Sequence, residues 1–491
     1  MAWATGHRVF HHIDYAVSQK NNHAISEACG LLLVSQLFPK FREADRWRAR
    51  GRDVMCRELR RQIYADGSYV QHSMNYQRVM MHGALLALRL AELREQPFER
   101  DIYERLGSCA EFFFQLMDPE TGRLPNYGNN DGALVLPLSE CDFTDYRPVI
   151  QATHYLARRR RILPPGPWDE ETLWLFGSES LDGAPPAPRA PESATFPVGG
   201  YYTLRGEDSS AMTRAHTYRD RPGQLDGLHL DLWWRGHNIL CDCGTFQYFT
   251  PDHPGRESYF KSAAAHNTLE LDRRDPLELV SRFLWLPWPR GTARHFETAN
   301  ASCQYFESES RDYDRAPWHV LYRRAVIALD ADTWIIVDDV LGKGRQLATL
   351  RWHLLDLPYE LDHERRRVKL KTPDGPVFIT VAPQPATPNR FEIVRGLEED
   401  DRVQGFAAPY YADLQPIPTL EIELHANLPQ RILTVVSPHE PAQIQRHAAD
   451  ASAETWELTL TSKQYSLNLA APHPRAPRIM RACEQTTPRS R

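Results

Sequence analysis

The sequence predicts an α + β multidomain protein: an N-terminal (α/α) toroid, complete or incomplete, followed by an antiparallel β-sandwich. Three observations support this fold class. The chain has 491 residues, more than one ordinary hydrophobic core organises. Apolar residues recur at helical spacing through residues 1–162. From Gly199 onward they alternate with polar residues instead, which is typical of strands.

The helical part, residues 1–162, contains five predicted helices. The first begins at Asn22, a residue type that caps helix N-termini. The other helices are predicted at 41–63, from Ser73, at 102–117 and at 148–158. Paired antiparallel helices with loops at alternating ends favour a toroid whose loops line a cleft.

The second part begins after a Pro-rich segment, 163–198, which is predicted as a linker or crossover. Residues 199–473 are predicted as the β-sandwich, because many short strand patterns are separated by turn signals. One such pattern is the alternation of Leu228, Leu230 and Leu232 with polar residues. Residues 474–491 are predicted as a loose tail.

Composition narrows the class of protein. A net charge of -6 argues against general nucleic-acid binding. Of the 58 Lys and Arg residues, 51 are Arg. This excess reflects either codon bias or a functional need, because Arg binds carboxylates and sulfates bidentately. Eight Cys without a CxxC pair do not suggest a disulfide scaffold. No apolar run predicts a membrane span and no signal peptide is apparent, so the expected location is cytoplasmic.

Asn22, His23 and Tyr76 are the candidate catalytic residues. An amide can stabilise a developing enolate, an imidazole can remove a carbon-bound proton, and a phenol can protonate a leaving oxygen. The alternative is structural: Asn22 is a helix cap, His23 a satisfied polar residue and Tyr76 a core phenol.

Several motifs occur together in a specific order. Asn22-His23 precedes Glu27 and Gly30, then Asp66-Gly67 and 73–76 follow. In the β part come 199–202, 242–245 and Ala265-His266-Asn267-Thr268. This combination, over roughly residues 15–470, resembles the heparinase II/III-like polysaccharide lyases. The resemblance implies a toroid and a sandwich that hold an acidic polysaccharide between them. It also implies a β-elimination in which Asn22 neutralises the uronate carboxylate, His23 is the base or a carboxylate partner, and Tyr76 is the acid or both acid and base.

The family usually has a much longer helical segment before the Asn-His motif than the 21 residues found here. Either the toroid is incomplete, or the sequence begins downstream of the natural start. In the second case a signal peptide is missing and the expected location becomes periplasmic or secreted.

Substrate-binding candidates lie in both parts. The polar loop 124–132 is either an ordinary loop or a sugar-binding one, and the arginines are expected to compensate an acidic polymer. Tyr248 and Tyr259 are further candidates for the acid. The full set is His72, Arg78, Asn129, Asn130, Arg219, Arg221, Tyr248 and Tyr259.

A metal site is also implied by the resemblance. In many members a His two positions before an Asp holds structural zinc with the equivalents of Asp242 and His266. This chain has Gln224 at that position, before Asp226. Because Gln is a poor zinc ligand, the expectation is no metal, Zn²⁺ held with the help of His229 or His216, or a looser divalent ion.

Two alternatives to a lyase remain. One is a non-catalytic glycan-binding or exopolysaccharide-assembly protein of the same fold, favoured by Gln224 and the short toroid. The other is a glycoside hydrolase that uses a pair of carboxylates, for which Asp66, Asp131 and Asp226 are available. The ultraviolet absorbance of an unsaturated product separates a lyase from both.

Overall fold

A computed structural model describes residues 1–182, 189–300, 303–330, 332–384, 388–399, 402–448, 453–461, 463–470, 472 and 484–486. The chain forms two compact units. One comprises Met1–Glu192 and Phe196–Gly199, and the other comprises Ser193–Thr195 and Gly200–Arg491. We call them the helical unit and the β unit.

The helices of the helical unit form two rows. One row is α2, α4 and α6, and the other contains α1, α3 and α5, which pack behind them. Close approach depends on small residues, since a Cβ on Gly51 would lie 3.0 Å from the Ala28 carbonyl oxygen. The helices are α1 (Ala2–Ser18), α2 (Asn22–Leu37), α3 (Ala44–Gln62), α4 (Met74–Leu93), α5 (Arg100–Leu116), α6 (Arg147–Arg158) and α7 (Asp169–Phe176).

The five predicted helices are confirmed as α2 to α6, with ends shifted by a few residues. Helices α1 and α7 were not predicted. The N-cap of α2 is Asn21, whose side chain accepts a hydrogen bond from the His23 N–H, so the prediction of Asn22 as the cap is wrong. The two-row arrangement is that of an (α/α) toroid segment.

The β unit is built from antiparallel strands and one short helix, α8 (Pro254–Tyr259). Its first strands are β1 (Ala194–Phe196), β2 (Tyr201–Arg205), β3 (Ser209–Arg214), β4 (Leu230–Trp234), β5 (His237–Leu240), β6 (Leu269–Leu271), β7 (Glu278–Ser281), β8 (Leu284–Leu286), β9 (Gly291–Glu297), β10 (Cys303–Ser310), β11 (Leu321–Leu329), β12 (Trp334–Leu341) and β13 (Arg345–His353). The others are β14 (Tyr359–Asp362), β15 (Arg367–Thr372), β16 (Gly375–Gln384), β17 (Arg390–Val394), β18 (Leu397–Glu399), β19 (Arg402–Gln404), β20 (Phe406–Ala407), β21 (Gln415–Pro416), β22 (Thr419–Asn427), β23 (Gln430–Pro438), β24 (Gln443–Ala448), β25 (Ala453–Thr459), β26 (Gln464–Ala470) and β27 (Glu484–Thr486).

The largest sheet has eight strands in the order β14-β15-β16-β23-β12-β11-β10-β9. Strand β12 shows that both of its faces are buried. On one face, Trp334 and Ile336 belong to the main core, which they share with residues of the four-stranded sheet β17-β22-β13-β6 and the five-stranded sheet β1-β2-β3-β4-β5. On the other face, Ile335 and Val337 pack in a second core with Trp456 of the C-terminal sheet β24-β25-β26-β27. The predicted antiparallel β-sandwich is confirmed, with an additional layer behind its largest sheet.

The segments at the predicted boundaries are more ordered than expected. Residues 163–198 contain α7 and β1, and most of the segment belongs to the helical unit. Residues 183–188 lie outside the described part of the chain. Of the predicted tail, 474–491, the described part is β27, which pairs with β26. Among the described residues, no helix is long and apolar enough to cross a membrane.

A tight turn between α3 and α4 depends on Gly67. Its φ is 85°, and a Cβ would lie 2.1 Å from the backbone oxygen of Ser108. Gly177 has a similar φ of 82°, but a Cβ there would meet nothing within 4 Å. Gly67→Ala therefore adds a backbone clash to the conformational strain that both substitutions introduce.

We expect Gly67→Ala to lower the unfolding free energy by at least about 2 kcal/mol more than Gly177→Ala. The reason is that the backbone segments at residues 67 and 108 are both packed and cannot move apart without further loss of stability. Thermal or denaturant unfolding of both variants checks this. Equal losses of stability would contradict the predicted clash.

Candidate functional site

Asn22 is freed from capping by its neighbour. Because Asn21 accepts the His23 N–H at 3.0 Å, the amide of Asn22 has no capping role. The Asn22 side chain is nonetheless buried, with 8% of its surface exposed. Its Oδ1 has no hydrogen-bond partner among the described residues. A buried amide atom without a partner is costly, which indicates that a ligand supplies the missing contact.

Gln71 joins the starts of α2 and α4. Its Oε1 accepts the Asn22 N–H at 2.7 Å, across 49 positions of sequence. Two residues later, Ser73 caps α4, because its Oγ accepts the Tyr76 N–H at 3.0 Å. Asn22 and Tyr76 thus lie in the first turns of two helices whose N-termini are linked through one side chain.

His23 lies one residue beyond Asn22 and is exposed. Its Nδ1 lies 2.5 Å from Gln19 Oε1. Because a carbonyl oxygen only accepts, this contact assigns the proton to Nδ1 and leaves a lone pair on Nε2 in the neutral ring. A neutral, exposed imidazole can accept a proton from a bound molecule.

The loop 124–132 packs on the start of α4. The Met74 N–H donates to the Tyr127 carbonyl at 3.1 Å, and the Ser73 hydroxyl donates to the Asn129 carbonyl. Asn130 is buried, and its Oδ1 accepts the Gly132 N–H at 2.8 Å. The Asn129 and Asn130 contacts seen here position the loop.

His72 and Arg78 were nominated for substrate binding, and both are buried. Arg78 stacks 4.1 Å from the ring centre of Phe143 and 4.5 Å from that of Tyr146, and donates to Asn75 at 2.7 Å. Its contacts show a buried side chain held within the helical unit, and its role in substrate binding stays a prediction. His72 adopts φ 49° at the turn before α4.

The β-unit candidates fall into two groups. Arg219 is exposed, and Arg221 lies 5.7 Å from the ring centre of Phe283. Tyr248 contacts the same phenylalanine edge-on at 5.1 Å, forming an aromatic and cationic surface. Tyr259 does not join it: this side chain is 3% exposed and its hydroxyl donates to the Phe406 carbonyl at 3.1 Å. Tyr259 is therefore a core residue, and its nomination is wrong.

A buried group of potential metal ligands lies beside β4. The side chains of His229, Asp242 and His266 offer donor atoms that all lie within 4.8 Å of one another. His266 Nδ1 is 2.8 Å from Asp242 Oδ2, and His229 Nε2 is 3.5 Å from the same oxygen. Of the alternatives that the sequence left open in place of Gln224, His229 is the one that lies with Asp242 and His266.

The three side chains fit a zinc ion. Two imidazoles and a carboxylate are ligands that Zn²⁺ prefers, and donors around a tetrahedral zinc lie about 3.3 Å apart. His266 Nε2 is buried without a hydrogen-bond partner among the described residues, so this nitrogen is the one that His266 can offer to a metal while Nδ1 contacts Asp242. The Asn267 N–H donates to His229 Nδ1 at 3.1 Å. A metal bound to Nε2 would move the ring proton to Nδ1, which could then no longer accept this hydrogen bond.

Burial and neighbouring charges shift the pKa values of the residues in this group in different directions. Burial lowers the pKa of His229 to about 3. Burial also opposes the charged forms of Asp242 and His266, but their mutual attraction outweighs it, lowering the pKa of the carboxyl and raising that of the imidazole. Burial and the nearby Asp242 raise the pKa of Asp231 to about 8. Without metal, an Asp242–His266 ion pair therefore holds this region together.

Sequence reasoning missed Asn21 and Gln71 and only mentioned His229. The alternation of β4 carried a signal for His229, since the strand is buried at all its positions, including Asp231 and Trp233. Buried polar side chains on and beside β4 need polar partners, and His229 has such partners in Asp242 and His266. No local signal identifies Gln71.

Comparison with known proteins identifies the family. Residues 6–135 match the model of the heparinase II/III N-terminus, and residues 188–456 match that of the heparinase II/III-like C-terminal region. The chain belongs to the heparinase II/III-like family. The heparinase II/III-like resemblance expected from the sequence is therefore confirmed.

Curated relatives in the heparinase II/III-like family include two proteins named heparin-sulfate lyase. The one from Bacteroides thetaiotaomicron is 22% identical over 365 residues, covering 70% of this chain and 47% of that protein. The one from Pedobacter heparinus is 21% identical over 383 residues, covering 75% and 52%. The chain spans about half the length of the curated relatives it matches.

Solved structures of similar proteins share the fold. A crystal structure of heparinase III has a TM-score of 0.70 at 17% identity, covering 92% of this chain and 67% of that one. The heparan sulfate lyase HepC from Pedobacter heparinus has a TM-score of 0.65 at 19% identity, covering 94% and 68%. The toroid and sandwich architecture of the heparinase II/III-like family is therefore present here.

We expect protein loaded with zinc and then dialysed to retain a stoichiometric amount, and His229→Ala to retain much less, because two donors remain of three. The control is His216→Ala, another buried histidine of the β unit that lies outside the ligand group. Elemental analysis measures the metal. Zinc retention that is equal in both variants would contradict the assignment of His229.

Proposed function

We propose that this chain is a polysaccharide lyase that cleaves a uronic-acid-containing polysaccharide by β-elimination. The observation that carries the proposal is the linked start of α2 and α4, where the buried Asn22 side chain has no capping role and Tyr76 occupies the neighbouring first turn. The names of the curated relatives support the same reaction class.

The chemistry requires three roles. The proton on C5 of a uronic acid is too weakly acidic to leave until the charge of the adjacent carboxylate is neutralised, and the amide of Asn22 can donate to that carboxylate. A base then removes the proton, and the electrons form the C4–C5 double bond while the bond from C4 to the leaving oxygen breaks. A general acid protonates that oxygen.

His23 and Tyr76 can divide the proton transfers. His23 is exposed and its Nδ1 contacts Gln19, so its imidazole can act as the base. Tyr76 is 9% exposed and can donate its phenol proton to the leaving oxygen, or serve as both base and acid on one face of the sugar. Asn22 has the same carboxylate role in both assignments.

The proposed substrate is an acidic polymer with sugar rings to stack upon. Arg219 and Arg221 can pair with carboxylates or sulfates, and the Tyr248–Phe283 surface can pack against a sugar face. Since the relatives are named heparin-sulfate lyases, a heparan-like polymer heads the panel of substrates to test. Alginate-like and bacterial glucuronate polymers complete it.

The proposed metal has a structural role. His229, Asp242 and His266 would hold zinc between the start of β4 and the segments after β5 and before β6. A bound divalent cation would also compensate the buried carboxylate in place of the protonated imidazole. The elimination itself is assigned to residues of the helical unit.

The direct test is incubation with this panel while absorbance of the unsaturated product is followed in the ultraviolet. A lyase yields an absorbing product from at least one polymer. Cleavage without such absorbance indicates hydrolysis, and binding without cleavage indicates a non-catalytic glycan-binding protein. Either result overturns the proposal.

Tyr76→Phe should reduce turnover about 10²–10⁴-fold while leaving substrate affinity nearly unchanged, because the ring remains and only the acid–base group is lost. Tyr15→Phe on α1, where the tyrosine is 73% exposed, removes a phenol far from any assigned role and serves as the control. Steady-state kinetics on the cleaved polymer checks this. Normal turnover by Tyr76→Phe would show that the phenol is structural.

Asn22→Asp should weaken binding as well as turnover, because the side chain keeps its size but places an anion beside the substrate carboxylate. We expect a raised KM and a kcat lowered by about 10²-fold or more. The backbone contact to Gln71 is retained in this variant, so the folded structure should persist. A variant with parental kinetics would remove Asn22 from the mechanism.

A further inference from the structure

The helical unit has a second cavity, away from the starts of α2 and α4. It has a volume of about 490 Å³ and lies between α5, the end of α6 and the α3–α4 turn. An adjoining cavity of about 480 Å³ shares His154, Arg160 and Arg189 with it. The side chains that carry charge at the first cavity are Asp66, Glu111, Arg158, Arg160 and Arg189.

The two carboxylates of this cavity are already engaged. Glu111 pairs with Arg189 through two contacts of 2.7 and 2.5 Å. Asp66 accepts the Val198 and Gly199 N–H groups at 2.7 and 3.0 Å through one oxygen. Glu111 is therefore paired with Arg189, whereas Asp66 keeps its charge but forms no ion pair with Arg158 or Arg160 in the described part of the chain.

Arg158 and Arg160 are the charges that remain. Both are exposed, and within the described ranges neither forms an ion pair with a carboxylate. Their neighbours in sequence differ: Arg159 pairs with Glu92, and Arg161 lies 3.6 Å from Asp169. Arg158 and Arg160 thus line the first cavity without an ion-pair partner in the described part of the chain, whereas Arg159 and Arg161 each lie beside a carboxylate.

Hydrogen bonds and an ion pair also fix the residues of the cavity wall beside Arg158 and Arg160. His154 is buried, and its Nδ1–H donates to the Arg160 carbonyl at 2.8 Å. Burial and the two arginines lower the pKa of this imidazole, so it is neutral and leaves the positive charge on the guanidinium groups. Glu111 holds Arg189 in a fixed fork beside them.

We propose that this cavity is a subsite for an anionic group of the acidic polysaccharide, a sulfate or a carboxylate, on a sugar removed from the bond that is cleaved. Arg158 and Arg160 bind the anion, and Arg189 forms the side of the site. The inference rests on the proposed function for the identity of the polymer. The site itself rests on the two uncompensated arginines and the cavity that they line.

A structural connection to the catalytic residues exists within the helical unit. The turn between α3 and α4 carries Asp66 at the cavity edge and Gln71 at the start of α2. A polymer bound in the cavity therefore contacts the same short segment that positions Asn22. Long chains should gain affinity from the subsite, whereas chains too short to reach it should not.

The test compares two double variants, Arg158→Ala/Arg160→Ala and the control Arg42→Ala/Arg46→Ala, which removes two exposed arginines of the helical unit that do not line the cavity. Both are made in the Tyr76→Phe background, so that binding is measured without cleavage. The probes are a fluorescent heparan sulfate decasaccharide, an unsulfated polyuronate of equal length and a disaccharide of each.

We expect the cavity variant to bind at least one long probe about five- to thirty-fold more weakly than the control, with a weaker dependence on salt, because two charge-assisted contacts are lost. Disaccharide binding should be equal in the two variants. A loss confined to the sulfated decasaccharide identifies a sulfate site, and a loss with both long probes identifies a carboxylate site.

Equal affinity and equal salt dependence of the two variants for both long probes would overturn the subsite. The lyase proposal fails separately, if the parent protein forms no unsaturated product. In the parental background, the cavity variant should raise KM for long chains and leave kcat on short ones unchanged. Matching thermal unfolding of both variants shows that any difference is one of binding.

Discussion

One hydrogen bond underlies the arrangement of the helical unit, the bond from the Asn22 N–H to Gln71 Oε1. A helix start has backbone N–H groups without intrahelical partners, and these must be satisfied locally or from elsewhere. Asn21 satisfies one, and Gln71 satisfies another from a different helical hairpin. The side chain of Asn22 is consequently left for a ligand. Removing this bond would leave one N–H at the start of α2 without its partner.

The β unit solves a different problem with buried charge. Every residue of β4 is buried, so polar side chains on and beside this strand have little access to water. His229, Asp231, Asp242 and His266 are all buried, and an isolated charge among them would be strongly unfavourable. Clustering solves this, because opposite charges pair or a cation takes their place. The ligand group is thus a condition of the fold as much as a device for binding metal.

Much of the fold was predictable because it depends on local periodicity. The five helices and the sandwich follow from spacings of 3.6 and two, and the motif order located Asn22, His23 and Tyr76 at helix starts. The cap of α2 was misassigned because Asn21 and Asn22 have equal capping propensity, and a residue 49 positions away decides between them. The burial of Arg78 and Tyr259 was not predicted, because proximity to a motif says nothing about which way a side chain points. The buried face of β4 needed knowledge of a layer that only the tertiary structure supplies.

The contacts of Asp66 have a consequence for how the protein is made. This carboxylate binds Ser68 within its own turn and also the N–H groups of Val198 and Gly199, the last residues of the helical unit. Val198 and Gly199 follow Asp66 by 132 and 133 positions, at the end of the Pro-rich segment, so the turn that carries Gln71 gains these two contacts only once residues 198 and 199 have been synthesised. A chain that ended before Val198 would leave this carboxylate without both donors.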